Sequence, residues 1–179
     1  MSNPYDSVSP RASKGLVNLI IDTPKGSRYK YKFDEKAQCF RVARILPRGA
    51  SFPYDFGSIP GTLAEDGDPL DVLVIGEAGS FAGCLLTVKL VGAIRAQQRE
   101  KGKTIRNDRL LGTPVTSVNA AELTHIDQLP AAVLNEIEHF FTSYNQAHGR
   151  QFKATGRAGP KEADKMLRAA VERHKKTNP

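Results

Sequence analysis

The sequence predicts a mainly β protein with α-helices, in which a five-stranded antiparallel barrel is flanked by two helices. Short apolar segments alternate in-out at period two and are separated by Gly/Pro turns, which suits a closed barrel better than βαβ units. After Leu129-Pro130 the period changes to that of two amphipathic helices. A chain of 179 residues is large enough to bury one core, read here as a single domain over residues 15–179 behind a loose Ser- and Pro-rich arm at 1–14.

Val17, Leu19 and Ile21 alternate as a strand that ends at Asp22-Thr23-Pro24. A second strand sets Tyr29, Tyr31 and Phe33 on one face and Lys30 and Lys32 on the other. In the third, Phe40, Val42 and Arg44 share a face, so a guanidinium projects beside two residues expected in the core. Such a group needs an anion, and its planar fork suits phosphate or carboxylate. Residues 46–62 hold three Pro and three Gly and read as a long loop over a site.

Strands follow at Val72–Ile75 and along Cys84–Ile94, then a hairpin tip at Lys101-Gly102-Lys103 and a returning strand at Leu110-Leu111. Asp127 is placed to cap a helix in which Val133, Leu134, Ile137, Phe140, Phe141 and Tyr144 form one stripe, ending near His148-Gly149. Gln151-Phe152-Lys153 reads as a short strand before a Gly/Arg loop, and a last helix from about Pro160 to Lys175 buries Ala163, Met166, Leu167, Ala170 and Val171. His139 reads as a helix-surface or packing residue.

Lys and Arg number 26 against 19 Asp and Glu, a formal charge of +7, which fits a polyanionic ligand without choosing one. Cys39 and Cys84 are too few for a disulfide framework and read as reduced structural thiols. No apolar run approaches the ~20 residues of a membrane span, and the first residues lack a signal-peptide pattern, so the expected location is cytoplasmic.

The chemistry concentrates in Glu65-Asp66-Gly67-Asp68-Pro69-Leu70-Asp71, four carboxylates in seven residues. Like charges this close repel, and a shared cation relieves the repulsion. Gly67 permits positive φ and Pro69 fixes φ, so the backbone is a shaped turn. Oxygen donors without nearby His or Cys suit Mg²⁺, Mn²⁺ or Ca²⁺. An EF-hand loop is excluded, because Leu70 and Asp71 stand where it requires an acid or amide and then Gly.

Asp66-Gly67-Asp68-Pro69-Leu70-Asp71-Val72 resembles the D-G-D-P-x-D-V signature of the soluble inorganic pyrophosphatases built on an OB-type barrel. The resemblance extends upstream to Asp22-Thr23-Pro24, Lys30-Tyr31, Arg44, Gly57-Ser58-Ile59 and Thr62-Leu63. Downstream it takes in Val91-Gly92, Leu129-Pro130, His139-Phe140-Phe141 and Tyr144, so it spans roughly residues 15–175. It implies hydrolysis of pyrophosphate to two phosphates by a metal-activated water, with Mg²⁺ as cofactor and Mn²⁺ as an alternative. By the same resemblance Asp68 is the catalytic base and a metal ligand, and Asp66, Asp71 and Asp22 are further metal ligands. Lys30, Arg44, Arg109 and Tyr144 bind substrate, as does the position of Phe56, and Lys153 is read as a substrate-side charge near the exit that makes up for Asn145. A homo-oligomer, a hexamer in prokaryotic members, is also implied.

The departures are specific. Asp22 stands where the family usually has Glu, Phe56 where it has Tyr, and Asn145 where it often has Lys. Gln97 or Gln98 replaces the first of two expected Asp residues, and either Asn107 or Asp108 takes the second. Asp108 is the favoured ligand, because a carboxylate binds Mg²⁺ better than an amide. Two alternatives stay open: hydrolysis of another small phosphoanhydride, and an OB-type nucleic-acid module. The second is disfavoured by few aromatics, mostly spaced as core.

Overall fold

The computed structural model of the protein describes residues 3–177. In chain order it comprises α1 (Pro4–Ser7), β1 (Arg11–Ser13), β2 (Leu16–Thr23), β3 (Tyr29–Asp34), β4 (Cys39–Ile45), β5 (Asp55–Ile59) and β6 (Leu70–Val74). These are followed by β7 (Leu85–Glu100), β8 (Lys103–Arg106), β9 (Arg109–Pro114), a 3-10 turn (Ile126–Gln128), α2 (Ala131–Gln146), β10 (Gln151–Ala158) and α3 (Pro160–Thr177).

Five strands close a ring. β2 pairs with β5, β5 with β6, β6 with β9, β9 with β7, and β7 returns to β2 through Val17↔Val88 and Asn18↔Thr87. All pairings are antiparallel except β6–β9, where Leu73 and Leu111 run in parallel. The exception is geometric: strand direction cannot alternate around an odd ring without one parallel joint. The hairpin β3–β4 stands apart as its own two-stranded sheet, and β10 lies against β7 outside the ring.

Period-two alternation sends neighbouring residues into two cores. Val72 and Val74 join one cluster with Val17, Leu19, Ile21 and Leu110, covered by Ala163, Leu167 and Ala170 of α3. Leu73 joins the other with Leu111, Phe56, Ile94 and Phe152, covered by Leu134, Ile137 and Phe141 of α2. Leu73 and Leu111 are essentially excluded from solvent, and each such side chain contributes ~1.5–3 kcal/mol by burial.

Several boundaries differ from expectation. Residues 55–59, read as loop, are a fully buried ring strand. A Cβ on Gly57 would come within 2.3 Å of the Ile20 carbonyl oxygen, so glycine here is what lets β5 lie against β2. Val42 is 49% exposed rather than core, on a hairpin that stands apart as its own two-stranded sheet. β10 continues to Ala158 through a bulge near Gly156, where a loop was expected. α2 starts without a side-chain cap, and Asp127 lies in the preceding 3-10 turn, which His125 caps. The arm is docked over the part described: Arg11 and Ser13 pair with β2, and Asn18 donates its backbone N–H to the Pro10 carbonyl at 3.1 Å. Its first two residues lie outside the described residues.

Candidate active site

Between β5 and β6 the acidic turn is tied down by its own polar groups. Thr62 Oγ1 donates to the Ile59 carbonyl at 2.6 Å and accepts from the Leu70 N–H at 2.9 Å, fastening the two ends of the connection. The Ala64 N–H donates to the Asp68 carbonyl at 2.8 Å, and Asp66 accepts from the Asp68 N–H at 3.2 Å. Gly67 takes φ +88°, a conformation costly for any residue with a Cβ. The tight turn and the first residues of β6 therefore deliver Asp66, Asp68 and Asp71 to one wall of a cleft of about 950 Å³.

The opposite wall is cationic. The β3–β4 register sets Lys30 opposite Arg44, and both line the cleft with Lys32 two residues on. The Lys32 ammonium meets Asp68 Oδ1 at 2.6 Å, with both side chains more than half exposed. Arg109, at the start of β9, is 6% exposed and meets Asp71 Oδ2 at 2.6 Å. It also donates to Asn107 Oδ1, while its buried Nε has no hydrogen-bond partner. Phe56 is a floor beneath these charges: the Lys30 ammonium lies 3.9 Å from its ring centroid, and Arg109 rests 5.1 Å from that of Phe141.

Burial sets the titration of these groups. Desolvation pushes the Lys30 ammonium below the usual lysine value, opposed by the charges of Asp22 and Asp71. Desolvation likewise raises Asp22 and Asp71, opposed by Lys30 and, for Asp71, first by Arg109. Asp66 is raised by burial and then by the negative charge of Asp71. The Tyr144 phenol is raised by burial, while the positive charge of Arg44 acts the other way.

Of the residues singled out from sequence, the cleft brings together Asp22, Lys30, Arg44, Phe56, Asp66, Asp68, Asp71, Arg109 and Tyr144. Asp108 is not among them. Its carboxylate accepts from the Ala96 N–H at 3.0 Å and pairs with Arg106 at 2.6 Å, so it braces the β7–β9 junction away from the cleft. Asn107 faces the cleft instead, donating to Gln98 Oε1 at 3.1 Å. Lys153 sits exposed on β10, opposite Gln97, and does not line the cleft. Three groups escaped the sequence reading as site residues: Lys32, Ser58 and Tyr5. Ser58 follows the shaped Gly57, which was a visible signal; Lys32 shares a strand face with Lys30, a pattern that equally fits a solvated edge, and Tyr5 had no signal.

Among the described residues, no three His, Cys, Asp or Glu side chains are drawn together as a finished ion cage. Asp68 and Asp71 turn to Lys32 and Arg109, and both oxygens of Asp22 are taken by hydroxyls. The donor chemistry nonetheless fits a hard divalent cation. The donors are all oxygens, Asp66 and Asp71 repel each other, and the solvated Lys32–Asp68 pair is worth at most ~1 kcal/mol and exchanges readily.

The model of a family described as "Inorganic pyrophosphatase" matches residues 19–175. An inorganic pyrophosphatase of Synechocystis is 37% identical over 153 residues, covering 86% of each chain. Another, from Methanosarcina acetivorans, is 35% identical over 163 residues, covering 91% of this chain and 95% of the relative. The crystal structure of the Thermus thermophilus inorganic pyrophosphatase superposes with a TM-score of 0.88 at 32% identity, covering 97% of this chain and 99% of that one.

Proposed function

The chain belongs to the inorganic pyrophosphatase family and hydrolyses pyrophosphate to two phosphates, and from that premise we propose how its side chains divide the work. The observation that carries the proposal is a single cleft lined by the carboxylates Asp66, Asp68 and Asp71 together with the cations Lys30, Arg44 and Arg109.

Pyrophosphate is a small, highly charged anion, so positioning and charge neutralisation supply most of the catalysis. Lys30, Arg44 and Arg109, which line the cleft, hold phosphate oxygens. Tyr144, carried beside Arg44 by α2, adds a hydroxyl donor. Phe56 donates nothing and keeps the floor beneath Lys30 apolar, which strengthens the pull of that ammonium on an anion. Asp68 accepts a proton from the attacking water. As the new P–O bond forms, the bridging P–O bond breaks, and the departing phosphate leaves with its charge against the cationic wall.

Asp66, Asp68 and Asp71 are the residues that would hold a divalent cation, Mg²⁺ by preference and Mn²⁺ as a second choice. Bound there, the ion supplies charge neutralisation to the phosphates and lowers the pKa of the attacking water. Asn107, rather than Asp108, is the group at the far side of the cleft within reach of the substrate. Asp22 serves Lys30 and not the ion.

The same proposal includes a homo-oligomer, supported by exposed apolar side chains such as Phe81 and Val118, and a cytoplasmic location. No helix among the described residues is long and apolar enough to cross a membrane. The test is phosphate release from pyrophosphate, ATP and a short polyphosphate, each with Mg²⁺ and with a chelator. Mg²⁺-dependent release from pyrophosphate, well above the other two, is expected. Preferential cleavage of ATP or polyphosphate would move the substrate to another phosphoanhydride.

A further inference from the structure

We propose that Tyr5, carried by the N-terminal arm, is a positioning residue of the site, holding the Asp22 carboxylate and strapping the cation-bearing hairpin β3–β4 to the barrel. The proposal rests on the pyrophosphatase reading for its kinetic arm only.

The geometry is specific at both ends of the side chain. The Tyr5 hydroxyl donates to Asp22 Oδ1 at 2.7 Å, Ser58 Oγ donates to Asp22 Oδ2 at 3.1 Å, and the two hydroxyl oxygens lie 3.0 Å apart. Each hydroxyl has one proton, and each spends it on Asp22, so both oxygens of a carboxylate only 7% exposed are satisfied. Neither partner comes from Asp22's own strand: Ser58 lies on β5, and Tyr5 arrives from outside the ring. The Tyr5 ring lies 5.5 Å from Phe33 on β3, and Phe33 in turn meets Phe40 on β4 edge-on at 5.4 Å.

β3–β4 forms a separate two-stranded sheet, and it carries Lys30, Lys32 and Arg44. An isolated two-stranded hairpin is marginally stable, so what ties it to the ring governs where its cations point. Tyr5 is one such tie, with the apolar ring on the hairpin and the hydroxyl on the barrel. The arm itself is anchored independently of Tyr5. Arg11 pairs with Asp164 of α3, and Asn18 Nδ2 donates to the Ser9 carbonyl at 3.0 Å. Asp22, held still, presents its carboxylate to the half-buried Lys30, which lines the same cleft. Tyr5 thus acts on substrate binding through Asp22 and Lys30 without touching the reacting atoms.

Tyr5→Phe keeps the ring and removes the donor; Tyr5→Ala removes both. Losing a buried hydrogen bond to a charged group predicts a KM for pyrophosphate raised about tenfold in Tyr5→Phe, with kcat within about twofold of the parent. In an Asp22→Asn background the same change should add less than about twofold, because the shared partner is gone. A purely structural role would lower stability without this KM–kcat split and without the coupling. Hydrogen exchange of residues 29–45, measured without substrate, gives an arm independent of activity. Protection should fall most in Tyr5→Ala, which loses both ends of the tie, and less in Tyr5→Phe, which keeps the ring on Phe33. An unchanged KM in Tyr5→Phe, or a full effect surviving in Asp22→Asn, would overturn the Asp22 assignment. Unchanged exchange in Tyr5→Ala would overturn the strap. A parent that released no phosphate from pyrophosphate would instead sink the functional reading, and the exchange arm would still decide whether Tyr5 holds the hairpin.

Discussion

Adjacent side chains at the β7–β9 junction have opposite fates. Asp108 is committed to a backbone N–H and to Arg106, whereas Asn107 looks into the cleft beside Gln98 and Arg109. A neutral amide pair therefore stands across from the carboxylate turn. Asn107→Asp would put a full charge there, and at a few ångström a unit charge is worth ~1 kcal/mol even in a water-like dielectric. Mg²⁺ affinity, read by calorimetry, should rise by about fivefold or more in that variant. An unchanged dissociation constant would mean that position 107 lies beyond the ion's reach. The choice between 107 and 108 was illegible in the sequence, since alternation is lost at a hairpin exit and ligand chemistry alone favoured the acid. Asp66, Asp68 and Asp71 were legible because shape and charge coincide in one short motif. Lys32 was not, because a second lysine on a strand face reads equally well as a solvated edge.

Elements tell the same story at larger scale. β5 hid behind Pro and Gly residues, yet Gly57 is where a strand needs no side chain in order to pass the Ile20 carbonyl. Composition reports turns well and close approaches poorly. The connection after β9 shows a different device: Glu77, from the β6–β7 loop, accepts from Ser117 Oγ at 2.7 Å and from the N–H groups of Val118 and Asn119 at 2.8 and 2.7 Å. Those bonds favour the ionised form and hold its pKa down at about 2, against an ordinary 4.5. A depressed acid contributes stability above its unfolded value, and that contribution is lost as pH falls through the folded value. Glu77→Gln should therefore lower Tm near neutral pH, and the gap to the parent should close as pH drops from about 4.5 toward about 2. A gap independent of pH would show that the carboxylate charge plays no part in holding residues 117–119.

For the whole molecule, the odd ring forces one parallel joint, and the two cores seat α2 and α3, so the cleft is framed by β3–β4, the acidic turn and the α2 side of the barrel. Barrel and helices were legible because period-two and helical patterns extend over whole segments. The docking of the arm was not, since Tyr5 acts through partners 17 and 53 residues away. An ion bound only by the native state stabilises it by ~2.7 kcal/mol at a hundredfold excess over Kd, so melting should show an Mg²⁺-dependent rise in Tm that shrinks in Asp66→Asn and Asp71→Asn. Equal shifts in parent and variants would place the ion elsewhere. The central claim, that the carboxylate turn performs the hydrolysis, is tested most directly by steady-state phosphate release from pyrophosphate in Asp68→Asn. The side chain is half exposed and its partner Lys32 is solvated, so the variant should melt with the parent while turnover falls by orders of magnitude, ~10²-fold or more for a lost general base. Full Mg²⁺-dependent turnover in a folded Asp68→Asn would contradict the account and reduce the turn to a solvated loop.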